Sequence, residues 1–219
     1  MNRTARKAGI TTLVLAAALA GLTTGAPQVT AASGGHNLIT NGSFNQPTAP
    51  EGPYGYTRID ATNDHLLPGW DVVRGDIDIY NRDLAQSPKR NQAADLTGSQ
   101  PGTIRQTIET VPGKEYAIRW QHSRETFPGC DRFPEQPYEV TVIGNTSGRF
   151  EPQGDAGDWL KTGMRFTASD DTENIQFASK SSTNNGGCGA MITDVTVTAL
   201  TSNGDNGGSG DNGGGGGDD

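Results

Sequence analysis

The chain is 219 residues long, 32% hydrophobic, and carries a formal net charge of −8. That acidity argues against a broad electrostatic surface for nucleic acid or for an anionic membrane. Two cysteines and three histidines, far apart in sequence, make no zinc-ligand spacing.

The first element is a leader. Arg3, Arg6 and Lys7 form a positive n-region, and Ile10 to Leu22 is apolar apart from Thr11, Thr12 and Gly21. Val29-Thr30-Ala31 supplies small residues for cleavage after Ala31 or Ala32. This is the pattern of a secretory signal peptide over residues 1–31, and its apolar run is short for the roughly 20 residues of a membrane-spanning helix. Loss of its three positive charges takes the formal charge from −8 to −11. Export places Cys130 and Cys188 in an oxidising compartment, which predicts one disulfide. A bridge of that span contributes about 4 kcal/mol in the chain-entropy picture. Two unpaired thiols are the alternative.

Ser33 to His36 reads as a short lead-in, and residues 37–199 carry the periodic apolar signal of one domain. Asp76-Ile77-Asp78-Ile79 alternates. Thr103–Val111 reads as a strand ending at a Pro112-Gly113 turn. Tyr116–Gln121 places Tyr116, Ile118 and Trp120 on one face, and Tyr138–Val142 and Met191–Val197 alternate in turn. Period-two alternation with Gly- and Pro-rich turns predicts an all-β, antiparallel β-sandwich. Residues 200–219 form a Gly-, Asp- and Asn-rich tail with too little apolar surface to fold, predicted to be disordered.

Chemistry-bearing residues are sparse. His36, His65 and His122 read as surface or loop histidines, and there is no nucleophile elbow or phosphate loop. Asp76 and Asp78 share a strand face at a range suited to glycoside hydrolysis or a hard cation, but a solvated face is the favoured reading. Trp120 is in phase with the core, and Trp70 and Trp159 also read as packing residues. Two long loops hold the candidate ligand-binding residues: Tyr54, Tyr56 and Arg58 in the first, and Arg124, Phe127 and Phe133 in the second. Aromatic faces beside polar side chains suit sugar rings. The alternative is that these side chains fold over the sheet as lids. Arg124 has a competing role as an ion-pair partner of Glu125 or Glu139.

A series of short motifs carries a family resemblance. It runs from Asn37-Leu38-Ile39-Thr40-Asn41-Gly42-Ser43-Phe44 through Gly69-Trp70-Asp71, Gly75-Asp76-Ile77-Asp78 and Ala94-Asp95-Leu96-Thr97-Gly98. It continues with Gly102-Thr103-Ile104-Arg105-Gln106, Val111-Pro112-Gly113-Lys114-Glu115-Tyr116 and Ser123-Arg124, then Trp159 and Phe166-Thr167-Ala168, to Cys188-Gly189-Ala190-Met191-Ile192-Thr193-Asp194-Val195. In that order they resemble the secreted domain of unknown function 642 and its choice-of-anchor C relatives. The resemblance implies a galactose-binding-like jelly roll outside the cell, associated with walls or polysaccharides, with no established catalysis and no required cofactor. Related modules can hold a structural calcium between first and last strands. Here Asn45 stands where the family often has an acidic residue, Thr193-Asp194 where it often has two, and Ala190 where it often has Pro.

The expected function is a secreted, non-catalytic module, extracellular or wall-associated, whose partner is a polysaccharide or cell-wall glycan. The alternative is a structural or adhesive extracellular protein that binds a protein partner through the same loops.

Overall fold

A computed structural model describes residues 35–183 and 186–200. The leader and the tail lie outside the described residues.

The alternating segments form two antiparallel sheets. The first contains, in spatial order, β1 (Tyr56–Asp60), β3 (Asp76–Tyr80), β4 (Ala93–Asp95), β11 (Ala190–Ala199), β6 (Glu115–Arg124) and β9 (Leu160–Thr167). The second contains β2 (Asp71–Arg74), β5 (Thr103–Glu109), β10 (Thr172–Ser179), β7 (Tyr138–Val142) and β8 (Thr146–Phe150). The chain crosses between sheets at every connection except β3 to β4 and β7 to β8, and the fold is a jelly-roll β-sandwich. One short helix, α1 (Arg82–Ala85), follows β3; Asn81 caps it by accepting from the backbone N–H groups of Asp83 and Leu84.

The core lies between the sheets. Ile59, Ile77, Ile79, Ile118 and Ile192 from the first meet Ile104, Val140, Ile175 and Phe177 from the second. Trp120 stands at its centre, edge-on to Phe150 at 4.8 Å and to Phe177 at 5.3 Å. Its indole N–H donates to the Tyr138 hydroxyl at 2.7 Å, and that hydroxyl lies 2.7 Å from His122 Nδ1. With one lone pair taken by the indole, the hydroxyl hydrogen is available to His122. Burial lowers the His122 pKa, so the neutral ring accepts it. His122 is thus a buried core residue, against the expectation of a surface one. It falls on the core face of β6, and Tyr138 supplies the polar partner it needs there.

Residues 37–44 form an irregular segment hooked to β11 by Leu38 N to Val197 O and Val195 N to Gly42 O, both 2.9 Å. One other expectation is corrected. Tyr56 and Arg58 are not in a loop: they belong to β1, paired along its length with β3. The alternation Tyr56-Thr57-Arg58-Ile59-Asp60 is polar at most positions, so its apolar face reduces to Ile59.

Cys130 and Cys188 form a disulfide, 58 residues apart with Cα atoms at 5.5 Å.

Truncating Trp120 to Ala removes the central core side chain and the indole hydrogen bond to the Tyr138 hydroxyl. It should cost about 3–5 kcal/mol in a denaturant melt. A loss below about 1 kcal/mol would show that the core does not depend on this residue.

Candidate functional site

The register of the first sheet sets out the site. Arg58 on β1 pairs with Asp78 on β3, which pairs with Asp95 on β4, then Met191 on β11 and Ser123 on β6. One row therefore runs across the sheet on the face turned away from the core. The adjoining row holds Tyr56, Tyr80 and Ala93, and Asp60 pairs with Asp76 on the other side.

This outer face is not solvated. Asp76 and Asp78 are only 6% and 5% exposed, and Asp95 is fully buried. The reading of Asp76 and Asp78 as a wet strand face is thus overturned. The reason is a roof that alternation within one strand does not reveal. Leu84 and Ala85 of α1 pack with Tyr80, Ala93 and Met191 on that face, and Phe127 and Trp159 pack against the group. The disulfide ties the 125–133 segment to the 186–189 segment above it. Gly187 (φ +89°) lies so close to residue 98 that a Cβ would meet the Gly98 carbonyl oxygen at 2.6 Å, so only glycine fits.

Beneath the roof the polar groups pair closely. The Arg58 guanidinium forks onto Asp78, Nε to Oδ1 at 2.8 Å and Nη2 to Oδ2 at 2.9 Å. Asp76 accepts from Ser99 Oγ at 2.6 Å and lies 3.7 Å from Arg58 Nε. Glu125 accepts from the Tyr80 hydroxyl and, at 2.9 Å, from the Gly189 backbone N–H. Asp95 accepts from Thr97 N at 3.0 Å through Oδ1, while its buried Oδ2 has no partner.

One guanidinium serves this row, and the two carboxyls it does not reach, Asp95 and Glu125, are the ones burial raises furthest. Burial pushes the Glu125 carboxyl up to about 8, against the hydrogen bonds from Tyr80 and Gly189. Burial raises Asp95 well above the usual carboxylate range, with Glu125 and Asp78 adding repulsion. At Asp78 burial again raises the pKa, and Arg58 opposes it. Tyr80 is raised by burial and by the surrounding carboxylates, so it stays a neutral donor.

Four rings gather at the open side. Tyr54 and Phe127 are 5.8 Å apart, Tyr56 and Tyr80 6.1 Å, and Phe127 lies 6.4 Å from both Tyr56 and Tyr80. The Arg58 guanidinium sits 5.7 Å from the centre of the Tyr56 ring. A cavity of about 160 Å³ opens among Tyr56, Arg58, Asp78, Tyr80, Glu125 and Phe127, with Gly98, Cys130, Gly186 and Gly187 completing it. Tyr54 is 60% exposed beside it.

Of the six residues singled out in the sequence, Tyr56, Arg58 and Phe127 thus meet at one cavity with Tyr54 alongside. Phe133 lies next to Gly186, a residue of the cavity wall. Arg124 goes elsewhere: its Nη1 donates to the Gly154 carbonyl at 3.0 Å. Neither competing ion pair forms the way the sequence suggested, since Glu125 is held by Tyr80 and Gly189, and Glu139 lies 3.5 Å from Lys180. Tyr80, Asp95 and Glu125 were missed as site residues. The one available signal was the continuation of Asp76-x-Asp78 to Tyr80, which puts a ring in phase with two carboxylates.

Where residue 45 and the 89–91 segment meet β11, the polar side chains are engaged with one another. Asp194 Oδ1 accepts from Asn91 Nδ2, and Oδ2 accepts from Gln121 Nε2, both at 2.7 Å. The Lys89 ammonium lies 3.1 Å from the same Oδ2, and Asn45 turns its amide N–H₂ to Asn91. A carboxylate neutralised by lysine and ringed by N–H donors is not the oxygen cage a hard cation requires. Among the described residues, one group has metal-ligand spacing, Glu125 with Cys130 and Cys188, and its two sulfurs are bonded to each other.

The raised pKa of Glu125 has a definite sign. The folded protein keeps a proton that the unfolded chain gives up near 4.5. That contribution is complete below about pH 4.5 and is lost as pH rises to about 8. Thermal melts between pH 5 and 8 should show Glu125→Gln gaining stability relative to the parent as pH rises. Parallel curves would contradict the assignment.

Several solved structures are similar in fold. A CBM4 structure is 16% identical with a TM-score of 0.44, covering 74% of this chain and 99% of that one. A family 61 module in complex with β-1,4-galactotriose is 14% identical with a TM-score of 0.44, covering 75% and 99%. A family 35 carbohydrate-binding module from Clostridium thermocellum is 14% identical with a TM-score of 0.41, covering 65% and 96%. No curated protein matches the chain. The profile of one family, described as a protein of unknown function (DUF642), matches residues 37–198, the whole sandwich, and the chain belongs to that family.

Proposed function

We propose that this protein is an extracellular, non-catalytic carbohydrate-binding module whose ligand is a polysaccharide or cell-wall glycan. The observation that carries this reading is the cavity lined by Tyr56, Tyr80 and Phe127, with Tyr54 alongside as a fourth ring, backed by fixed polar groups. Rings offer flat apolar faces to the C–H side of a sugar, while Arg58, Asp78 and Glu125 border the space where its hydroxyls would lie. The cavity of about 160 Å³ equals roughly five waters at about 30 Å³ each, which suits one sugar ring.

The way the carboxyls are used supports binding without cleavage. Glycoside hydrolysis needs one carboxyl as acid and a second as nucleophile or base. Here both oxygens of Asp78 are engaged by Arg58, and both oxygens of Glu125 accept hydrogen bonds from the protein. The extracellular setting is supported by the leader pattern and the disulfide. Among the described residues, no helix is long and apolar enough to cross a membrane.

A glycan array and pull-down on purified wall polysaccharides test the reading. Tyr56, 37% exposed, contributes little to the core. Tyr56→Ala should weaken binding to the best-bound polysaccharide about tenfold or more while shifting stability by less than about 1 kcal/mol. Undiminished binding, or saturable binding to a protein and to no glycan, would sink the proposal.

A further inference from the structure

Just past α1 the outer face carries a second, larger trough. It encloses about 540 Å³ and is lined by Gln86, Gln153, Gly157, Asp158, Trp159 and Leu160. That volume lies within the ordinary range for small-molecule sites.

The trough is built on fixed parts. Trp159 is half-buried; its indole N–H donates to the Ala85 carbonyl at 3.0 Å, and its ring packs against the Leu84 and Met191 group. The ring is therefore held from behind while it still lines the trough. The 153–158 segment turns on Gly154 (φ +88°) and Gly157 (φ +87°) and is fastened twice to β6. Arg124 Nη1 donates to Gly154 O, and Gly157 N donates to Ser123 Oγ, each at 3.0 Å. Asp158 Oδ2 accepts from Asp155 N at 3.0 Å, which fixes the carboxylate. Gln86 Oε1 faces the same segment, 3.2 Å from where a Cβ on Gly157 would stand.

An immobilised indole flanked by two amides and a carboxylate complements a pyranose ring, which has an apolar face and an edge of hydroxyls that both donate and accept. Asp158 disfavours an anionic sugar, and the nearby guanidinium of Arg124 is turned to the Gly154 carbonyl. We infer that this trough is a second carbohydrate subsite, taking a neutral sugar ring stacked on Trp159 with its hydroxyls on Gln86, Gln153 and Asp158. Arg124 is a positioning residue for it, holding the 153–158 segment. The inference rests on the proposal that the protein binds carbohydrate, and it assigns residues separate from the four-ring cavity.

Intrinsic fluorescence gives a direct readout, because Trp70 and Trp120 are each 2% exposed whereas Trp159 is half-buried and lines the trough. The purified protein is titrated with cellotetraose, xylotetraose, mannotetraose, laminaritetraose, β-1,4-galactotetraose and chitotetraose. The tightest binder should shift the emission. The double variant Gln86→Ala/Gln153→Ala, which changes two exposed side chains, should weaken that response about tenfold or more with an unchanged melting temperature. Trp159→Ala should abolish the response. If the double variant binds within twofold of the parent, the subsite is wrong, and a loss confined to Tyr56→Ala leaves the four-ring cavity standing alone. If no probe binds the parent protein by fluorescence or calorimetry, both the subsite and the carbohydrate reading fall.

Discussion

The fork of Arg58 on Asp78 is the contact around which the outer face of the first sheet is organised. A buried carboxylate without a partner is costly, and a guanidinium that meets both its oxygens is the geometry that offsets the loss of water best. Arg58 lies on the edge strand β1, so the pair also holds that strand in register against β3. The next carboxyl along the row, Asp95, has no guanidinium of its own, and neither has Glu125. Their remedy is to keep protons: burial raises both, and Tyr80 and the Gly189 amide supply the hydrogen bonds Glu125 can still use.

The roof covers the inner part of this cluster, where Asp95 is fully buried, and leaves Arg58 partly exposed at the cavity. The disulfide joins the 125–133 segment to the last loop before β11, and both lie over the row. Its chain-entropy contribution of about 4 kcal/mol belongs to the fold as a whole. Its local consequence is positional, since Phe127, Cys130, Gly186 and Gly187 all border the same cavity. Rings and polar groups are thereby set before any ligand arrives, which lowers the ordering cost of binding.

Much of the sandwich was legible because its strands are wet or core-facing on alternate residues. Tyr116–Gln121 and Tyr138–Val142 show this, Met191–Val197 less cleanly, and all lie in strands. The disulfide followed from compartment alone. What could not be read was the second layer on the outer face. Asp76 and Asp78 look solvated because alternation reports only that a face differs from the core, not that another segment covers it. His122 looked like a surface residue for the related reason that its partner, Tyr138, comes from the opposite sheet. Of the rings chosen, Tyr54, Tyr56 and Phe127 lie together, Phe133 stands beside Gly186 and Tyr80 was not among them; Arg124, at the end of β6, is received by the 153–158 segment and not by Phe127.

The central claim is that ligand enters the four-ring cavity on the outer face of the first sheet. Backbone amide chemical-shift mapping during titration with the best-bound oligosaccharide tests it residue by residue. The account predicts that the largest shifts fall on Tyr56, Arg58, Gly98, Phe127, Gly186 and Gly187, which border that cavity or its rim. Shifts confined to the second sheet, on β2, β5, β7 or β8, with the 125–133 and 186–189 segments silent, would contradict it.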